Sequence, residues 1–478
     1  MDRRADLRRW LPWLAVAGYA VALALLLARH EPWRDEIQAW LLARDSPTLG
    51  DLWRNTRYEG HPLLWHVLLW LLARFTDDPA AMQVLHFAIA TAAAAALGSA
   101  ASLPVWFRTL WLFSYLPLYE HGVISRNYAL TNLGLLLAVR FAPAPGEATL
   151  ALAAAANASP MGVLLVPPLA WALWPPGTRP KRAWLAFLAV AWGFALVSCL
   201  PPPDYEHARG LVLRWDTFRA YYVARGLAGA LFPFFRFELH FWNNPAILPF
   251  EPSLGLLLVA LGLVAGAVAL ETAALVPTAR LVPPFLAGAG ILLAFFYAKF
   301  PGAMRHHAYF PLWLLLFAWL RRQTTEKRSR GELALMAAML CTGLQGAAVA
   351  AWVDWREPFS AGKSAASSLS STCSPFPLLG HPDWAASTIA GFLPGRSIYY
   401  PARRSWGTFV VWDLYRARRE GLTDEQLLRE LQVIGRGGEV CLALNRPFQG
   451  GGGCRLLGQL PTSIVADEAY WLYLCPPH

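Results

Sequence analysis

The stretch "LPWLAVAGYAVALALLLA", residues 11–28, decides the fold class. It holds no charged residue and is close to the ~20 apolar residues that a helix needs to cross a bilayer. It is longer than the apolar core of a typical signal peptide, and no A-x-A-like cleavage site follows it. We therefore expect a retained signal anchor with a cytoplasmic N-terminus.

The chain as a whole has the same apolar character. Of the 478 residues in the full sequence, 56% are hydrophobic and only 15% are charged, whereas charged residues make up about a quarter of a soluble domain. The segment 62–75 is too short to cross the bilayer comfortably. The segments 147–158 and 160–175 are also short, and either both cross the bilayer or neither does. If both cross, Asn157–Pro160 is the turn between them. The eleven candidate spans are 11–29, 80–103, 105–121, 127–141, 147–158, 160–175, 183–200, 253–275, 281–298, 308–320 and 332–352.

The net charge of +10 is concentrated in a few basic clusters, namely "MDRRADLRR" (1–9), "PPGTRPKR" (175–182) and "RRQTTEKRSR" (321–330). Between apolar spans, such clusters are typical of cytoplasmic loops that follow the positive-inside rule. No aromatic-interleaved basic patch indicates nucleic-acid binding. Placing all three clusters inside leaves 29–78, 201–252 and the chain after 354 on the outer face.

The tail, residues 354–478, has mixed polarity and predicts a small extracytoplasmic α/β domain. Strand-like runs occur at 407–412, 439–444 and 470–475, and a helix is expected over 423–434, with Thr423 and Gln426 as a capping box. The run "SAGKSAASSLSST" (360–372) is either a linker or the first helix of this domain. Residues 1–353, with the outer loop 29–78, form the expected transmembrane module.

Four of the six cysteines lie in the tail, namely Cys373, Cys441, Cys454 and Cys475. An oxidising location outside the membrane permits disulfides, and four cysteines allow three full pairings, which the sequence leaves open. A zinc site is less favoured because the chain has no C-x-x-C pair.

An acidic pair follows the first span in "WRDEIQAWLLARD", residues 33–45. Apolar positions recur at helical spacing, which predicts an amphipathic helix lying at the membrane interface. Asp35 and Glu36 fall in its first turn, where the helix dipole favours negative charge. Ordinary helix capping explains such a pair, so a function needs further residues on the same side.

Three other segments supply polar residues at the expected outer boundary. "YEGHPLLW" (58–65) holds Glu59 and His61, and "SRNYAL" (125–130) holds Arg126 and Tyr128. "KFPGAMRHHAY" (299–309) adds Lys299, Arg305, His306 and His307. Carboxylates can act on a hydroxyl group, whereas arginine and lysine can hold a phosphate, so the two kinds of residue complement each other on one side of the membrane.

The ordered motifs "WRDEI", "EGHPLLW" and "SRNYAL" resemble those of the C-type (GT-C) membrane glycosyltransferases. The likeness is to the bacterial branch that resembles protein O-mannosyltransferases, lipid A aminoarabinose transferases and polyprenyl-phosphate-dependent galacturonosyl-type transferases. It covers about the first 320 residues in layout and the first 130 in motifs. The chain differs in the single proline of "HPL" and in lacking an acidic residue after Arg126.

The resemblance implies an inverting transfer of a sugar from a polyprenyl-phosphate donor to the hydroxyl of a glycolipid, glycan or protein, at the outer face of a bacterial cytoplasmic membrane. The match to the acidic motif of the family implies that Asp35 is the general base and that Glu36 orients the acceptor. Trp33, Glu59 and His61 would bind the substrate. Some members of the family use a divalent metal ion and others do not, so the resemblance leaves a metal cofactor open. The residues implied for the donor phosphate and lipid are Arg126, Tyr128, Lys299, Arg305 and His306.

Two other classes compete with the enzyme. A lipid-carrier flippase or transporter predicts ionisable residues deep within the spans and repeat symmetry. In this sequence the charges of the candidate site concentrate at the outer boundary, the deep parts of the spans are nearly free of charge, and no internal repeat is visible. A non-catalytic membrane scaffold that displays the tail is the third class, and it predicts that Asp35, Arg126 and Arg305 share no site.

Overall fold

The computed structural model describes residues 3–174, 180–206, 210–325, 327 and 329–477. Residues 1–2, 175–179, 326 and 328, which belong to the three basic clusters, lie outside the described residues. The chain forms two compact units. The first contains the described parts of Met1–Ala28, Leu85–Cys199 and Arg209–Trp352. The second contains those of Arg29–Val84, Leu200–Ala208 and Val353–His478, so the loop 29–78 belongs to the same unit as the tail.

Helices make up most of the described chain. The α-helices are α1 (Arg3–Arg29), α2 (Arg34–Arg44), α3 (Leu49–Thr56), α4 (Leu64–Leu72), α5 (Ala80–Gly98), α6 (Val105–Leu110), α7 (Tyr128–Arg140), α8 (Pro145–Ala158), α9 (Pro160–Leu173), α10 (Arg182–Ser198), α11 (Thr217–Leu231), α12 (Leu254–Leu275), α13 (Val282–Ala298), α14 (Met304–His307), α15 (Tyr309–Thr324), α16 (Arg330–Arg356), α17 (Gly362–Thr372), α18 (Asp383–Gly391), α19 (Leu414–Ala417) and α20 (Asp424–Gly435). The strands are β1 (Leu378–His381), β2 (Ile398–Tyr400), β3 (Ser405–Gly407), β4 (Val440–Leu444), β5 (Arg455–Leu460) and β6 (Tyr470–Cys475).

Four segments of the described chain are long and apolar enough to cross a membrane, so the expected count of about eleven spans is wrong. They are Trp10–Arg29, Ala80–Gly98, Leu254–Ala298 and Arg330–Arg356. The third joins α12 to α13 through a 3₁₀ turn in which Thr278 has a non-helical backbone. These helices indicate a membrane-embedded protein.

The other expected spans fail on length or continuity. Three of them, α7, α9 and α10, are apolar but have only 13, 14 and 17 residues, fewer than the ~20 that a crossing needs. The expected span 105–121 is broken at Ser114, whose extended backbone separates a 3₁₀ turn from the π-helical turn Leu116–Glu120. The expected turn at Asn157–Pro160 is confirmed, because α8 ends at Ala158 and Ser159 caps α9.

The second unit contains a six-stranded sheet in the order β3-β2-β1-β4-β6-β5. Strand β1 is parallel to both β2 and β4, whereas β3, β5 and β6 pair in an antiparallel manner. One apolar cluster places α18 on one face of the sheet, together with Ile37 and Leu41 of α2. A second cluster places α20 on the opposite face, through Leu427 and Leu431. The small C-terminal α/β domain is therefore confirmed.

Most of the expected elements of the tail are present. Strands β4 and β6 match the runs 439–444 and 470–475, and α20 begins with the expected capping box, in which the Gln426 backbone N–H donates to the Thr423 hydroxyl. The run 360–372 is helical, as α17. Two disulfides resolve the open pairing, Cys373–Cys441 and Cys454–Cys475.

The run 407–412 was expected to be a strand, but only Gly407 lies in one, at the end of β3. The reason is a side chain that takes the place of a strand partner. The amide of Gln38 on α2 accepts from the Val410 N–H at 2.9 Å and donates to the Val410 carbonyl at 2.8 Å. The backbone N–H and carbonyl of Val410 are thereby satisfied without a neighbouring strand.

Candidate functional site

The acidic motif forms the first turn of α2, in the second unit. Helix α2 is confirmed, but Glu36–Arg44 are all buried, so it is a core helix of this unit and not the amphipathic surface helix that the sequence predicts. Asp35 is half-buried at the second helical position. Trp33, just before the helix, is 3% exposed. The motif is thus held rigidly by the packing of its own helix.

Glu36 has two partners that fix its carboxylate. Its Oε2 accepts from the backbone N–H of Trp33 at 3.2 Å, which satisfies a free donor at the start of the helix. The same oxygen lies 3.1 Å from Nε2 of His30, and Nδ1 of His30 lies 2.9 Å from Oδ2 of Asp354. His30 therefore bridges two buried carboxylates, and Glu36 has a structural role whether or not it also orients an acceptor.

The charge of this bridge follows from its surroundings. Burial by itself lowers the pKa of His30, but the carboxylates of Asp354 and Glu36 outweigh burial and raise the pKa to about 10. His30 is consequently protonated at neutral pH. Burial also raises the pKa of the neighbouring Glu31, against the opposing effect of Lys363.

The other predicted substrate residues of this unit lie beside α2. Glu59 accepts from Nε2 of Gln38 at 2.8 Å. Because Gln38 follows Asp35 by three residues, the two are neighbours on one helical face, and Glu59 is therefore brought to the side of α2 that carries Asp35. His61 is half-buried in the loop before α4. The structure thus places Glu59 beside α2, and His61 follows Glu59 by two residues in the chain.

A second contact anchors the start of α2. The backbone N–H of Arg34 donates to Oε1 of Glu468 at 3.0 Å, and its guanidinium lies 2.8 Å from Oδ1 of Asp467. The same guanidinium stacks over Trp384 at 4.6 Å. Burial raises the pKa of Glu468 to about 7, although Arg34 opposes this.

The predicted phosphate-binding residues lie in the first unit, and three of them belong to one polar cluster. Nδ1 of His306 accepts from the Ala303 N–H at 3.0 Å, so in a neutral ring Nε2 carries the proton. Nε2 lies 3.0 Å from the Tyr128 hydroxyl and donates to it, which leaves the Tyr128 O–H able to donate elsewhere. Arg305 belongs to the same cluster because its backbone carbonyl accepts a hydrogen bond from Nε2 of His121 at 2.9 Å.

Glu120 is a further member of this cluster, and it lies on the π-helical turn. Its Oε2 accepts from the Tyr115 hydroxyl at 2.6 Å and from Nε1 of Trp242 at 3.1 Å. The guanidinium of Arg305 stacks over the Trp242 ring at 5.7 Å. π-helical turns are frequent at functional sites, so Glu120 joins the candidate residues here.

The remaining two phosphate-binding candidates differ in exposure. Arg126 is buried in the turn before α7, with 7% of its surface exposed. Lys299 is exposed at the end of α13. The first unit therefore brings Tyr128, Arg305 and His306 together and leaves Lys299 at its surface.

A small, partly open apolar pocket adjoins this cluster within the first unit. Its polar groups come from His121 and Asn132, whose Nδ1 and Nδ2 lie 2.7 Å apart. Ala129 and Ala308, which also line it, are next to Tyr128 and His307 in the chain. Its other lining residues include Tyr19, Trp111, Leu136 and Leu312. The pocket is thus apolar along its wall and polar at one part.

Sequence reasoning missed His30, Asp354 and Asn132. The only signal for the first two is their position at the ends of apolar helices, because 324 residues separate them. Asn132 lies in an apolar run, where a lone amide is easily overlooked. Among the described residues, no group of three or more His, Cys, Asp or Glu side chains could hold a metal ion.

The two units together define a mostly helical protein with membrane-type helices and a small α/β domain. Comparison of the chain with protein-family models, with curated proteins and with solved structures finds no match.

Proposed function

We propose that the protein transfers a sugar from a polyprenyl-phosphate donor to an acceptor hydroxyl. The observation that carries the proposal is the small apolar pocket beside the polar cluster, with His121 and Asn132 in its wall. Its apolar wall suits one part of an isoprenoid chain, because apolar surface leaves water on binding. The neighbouring Tyr128 O–H and Arg305 guanidinium suit the phosphate, as hydroxyl donors and guanidinium groups do generally.

In this proposal Asp35 is the general base. Its carboxylate accepts the proton of the acceptor hydroxyl while that oxygen forms a bond to the anomeric carbon. The bond between the anomeric carbon and the phosphate oxygen breaks, and polyprenyl phosphate leaves with the electron pair. The attack is in line, so the anomeric configuration inverts. The assignment of Asp35 rests on the sequence motif and on its half-buried place in the first turn of α2.

The proposal places the acceptor on the outer face of a bacterial cytoplasmic membrane, as the charge-derived topology expects. The donor-phosphate roles of Arg126, Lys299, Arg305 and His306, and the substrate roles of Trp33, Glu36, Glu59 and His61, stay predictions. The resemblance leaves a divalent metal cofactor open.

The test is the Asp35→Asn variant, purified and reconstituted in lipid nanodiscs with radiolabelled polyprenyl-phosphate sugars. Loss of a general base lowers the rate by about 10²–10⁴-fold, so transfer to acceptor lipids should fall by that factor. Binding of the donor lipid should persist. Asp51→Asn is the matched control, since Asp51 also lies in the first turn of a helix, α3. Normal transfer by Asp35→Asn would remove Asp35 from this role.

A second candidate, a lipid transporter, is favoured by one observation. Glu271 lies within the longest apolar segment and is 1% exposed. Buried ionisable groups in membrane helices mark transport pathways more often than chance. Movement of a fluorescent polyprenyl phosphate across a proteoliposome, lost in Glu271→Gln and unaffected by Asp35→Asn, would favour transport over transfer.

A further inference from the structure

The sheet of the second unit has a point at which the chain reverses its direction of winding. From β1 the chain passes through α18 to β2, on one side of β1. It then returns through α20, on the opposite face, to β4 on the other side of β1. In open α/β sheets, ligands bind in the crevice outside the carboxyl ends of two such strands. Here those ends are His381 and Leu444, which pair in register.

His381, the last residue of β1, lies at this edge of the sheet. It follows Leu379 by two residues and so faces the same side of the sheet, the side covered by α20. His381 is 6% exposed, and its Nδ1 is buried without a hydrogen-bond partner among the described residues. Buried polar atoms in folded proteins are nearly always paired. An open Nδ1 at a winding reversal therefore indicates a place for a ligand.

The rim of the crevice carries one positive and one negative group. Asp424 starts α20 and forms an ion pair with Arg446, which follows β4. Asp424 Oδ2 also accepts from the Gln449 N–H at 2.6 Å. The Arg446 side chain is 43% exposed and that of Asp424 is 14% exposed. Because Arg446 and Asp424 are more exposed than His381, an entering ligand meets these two groups before it meets His381.

The charges select the class of ligand. Burial, followed by the guanidinium groups of Arg446 and Arg416, lowers the pKa of His381 to about 4, so the ring is neutral at pH 7. An anion is disfavoured by Asp424, and a cation by Arg446. A neutral molecule with several hydroxyl groups suits all three, because each hydroxyl both donates and accepts.

We infer that the crevice beyond β1 and β4, formed by His381, Asp424 and Arg446, binds a neutral saccharide. One hydroxyl of the sugar hydrogen-bonds to Nδ1 of His381, and others bond to the Asp424 carboxylate and the Arg446 guanidinium. The inference does not depend on the proposed sugar transfer, since every residue that carries it lies in the sheet domain.

Binding to the full-length protein in nanodiscs tests the inference. The probes are methyl glycosides of glucose, galactose and mannose, with inorganic phosphate and the methyl glycoside of glucuronic acid as anionic comparisons. Saturation-transfer NMR and titration calorimetry measure their binding. We expect at least one neutral glycoside to bind and the anions to bind more weakly. Loss of a hydrogen bond to a charged group weakens binding by about tenfold or more, which is expected for Asp424→Asn.

Paired variants separate binding from folding. His381→Ala removes the inward nitrogen and should weaken binding about fivefold, whereas His381→Asn places a polar atom near the same position and should retain most of it. Asp51→Asn is the matched control for Asp424→Asn, because both residues are acids in the first turn of a capped helix and pair with an arginine. The inference is overturned if no neutral glycoside binds, if anions bind more tightly, or if His381→Ala and Asp424→Asn, folded by circular dichroism, bind as the wild type does.

Discussion

At the scale of single residues, His30 holds the acidic motif in place. Its protonated ring bridges Glu36 at 3.1 Å and Asp354 at 2.9 Å. The ring and both carboxylates are nearly inaccessible to solvent, with side chains at most 2% exposed. A buried charge network of this kind tolerates the loss of its central member poorly, because the remaining charges are left without compensation.

We therefore expect His30→Gln to destabilise the protein by about 3–5 kcal/mol, the usual cost of breaking a buried ion pair. The pKa of His30 is raised from 6.5 to about 10 on folding, so its protonated form stabilises the folded chain. This contribution is complete below pH 6.5 and is lost as pH rises to about 10. The measurement is the thermal midpoint in detergent at pH 6 to 10, for wild type and variant.

His240→Gln is the control for the histidine substitution, since His240 is exposed. The difference in stability between wild type and His30→Gln should shrink as the pH rises towards 10. A difference that stays constant across this range would mean that His30 is neutral in the folded protein. Glu31 also faces this network, so Glu31→Gln separates its titration from that of His30.

The candidate site could be predicted from the sequence only in part. The place of Asp35 and Glu36 in the first turn of a helix follows from local periodicity, and that prediction is confirmed. The bridge through His30 to Asp354 depends on packing between segments 324 residues apart, which no local pattern encodes. The contact of Tyr128 with His306, at a separation of 178 residues, is of the same kind.

At the scale of helices, close packing in the first unit depends on glycine. An added Cβ at Gly162 of α9 would lie 1.9 Å from the carbonyl oxygen of Ala155 in α8. The neighbouring atom is backbone, so it cannot turn aside. Glycine allows this approach because it has no Cβ.

We expect Gly162→Ala to cost about 1–3 kcal/mol, as overpacking usually does. Gly193→Ala, in the apolar helix α10, is the matched control because a Cβ there meets no atom within 4 Å. It should leave stability unchanged or raise it slightly, since alanine favours helix over glycine. Thermal unfolding in the same detergent compares the two, and equal midpoints would contradict the close approach of α8 and α9.

Element boundaries were predictable where one local rule was sufficient. The capping box of α20 and the strands β4 and β6 each follow from a short pattern. The expected number of spans is too high because an apolar run does not show where its helix ends. The helices α7 and α9 end after 13 and 14 residues. The run 407–412 has strand composition, but the Gln38 side chain satisfies the backbone of Val410 instead.

At the scale of the whole chain, the second unit is assembled from three separate segments. Leu200–Ala208 contributes Glu206, and the tail contributes Asp383 and Arg416. The Arg416 guanidinium lies 2.8 Å from Asp383 and 2.9 Å from Glu206, 210 residues away in sequence. The sequence showed a tail domain but not the segments that complete it, because these charges are unremarkable in isolation.

Arg416→Met should therefore destabilise the second unit by about 3–5 kcal/mol, since Asp383 and Glu206 would be left buried without their cation. The Arg416 side chain is fully buried, and methionine has a similar length, so the loss of charge dominates. Arg404→Met is the control, because Arg404 is 56% exposed and its partner Glu430 also pairs with Arg419. Urea unfolding, with limited proteolysis of the segment 200–206, measures both effects.

Adding Asp383→Asn and Glu206→Gln to Arg416→Met should restore part of the stability, because the uncompensated charges are then removed. If the triple variant is no more stable than Arg416→Met, the loss arises from packing around residue 416 and the ion pairs do not join these segments.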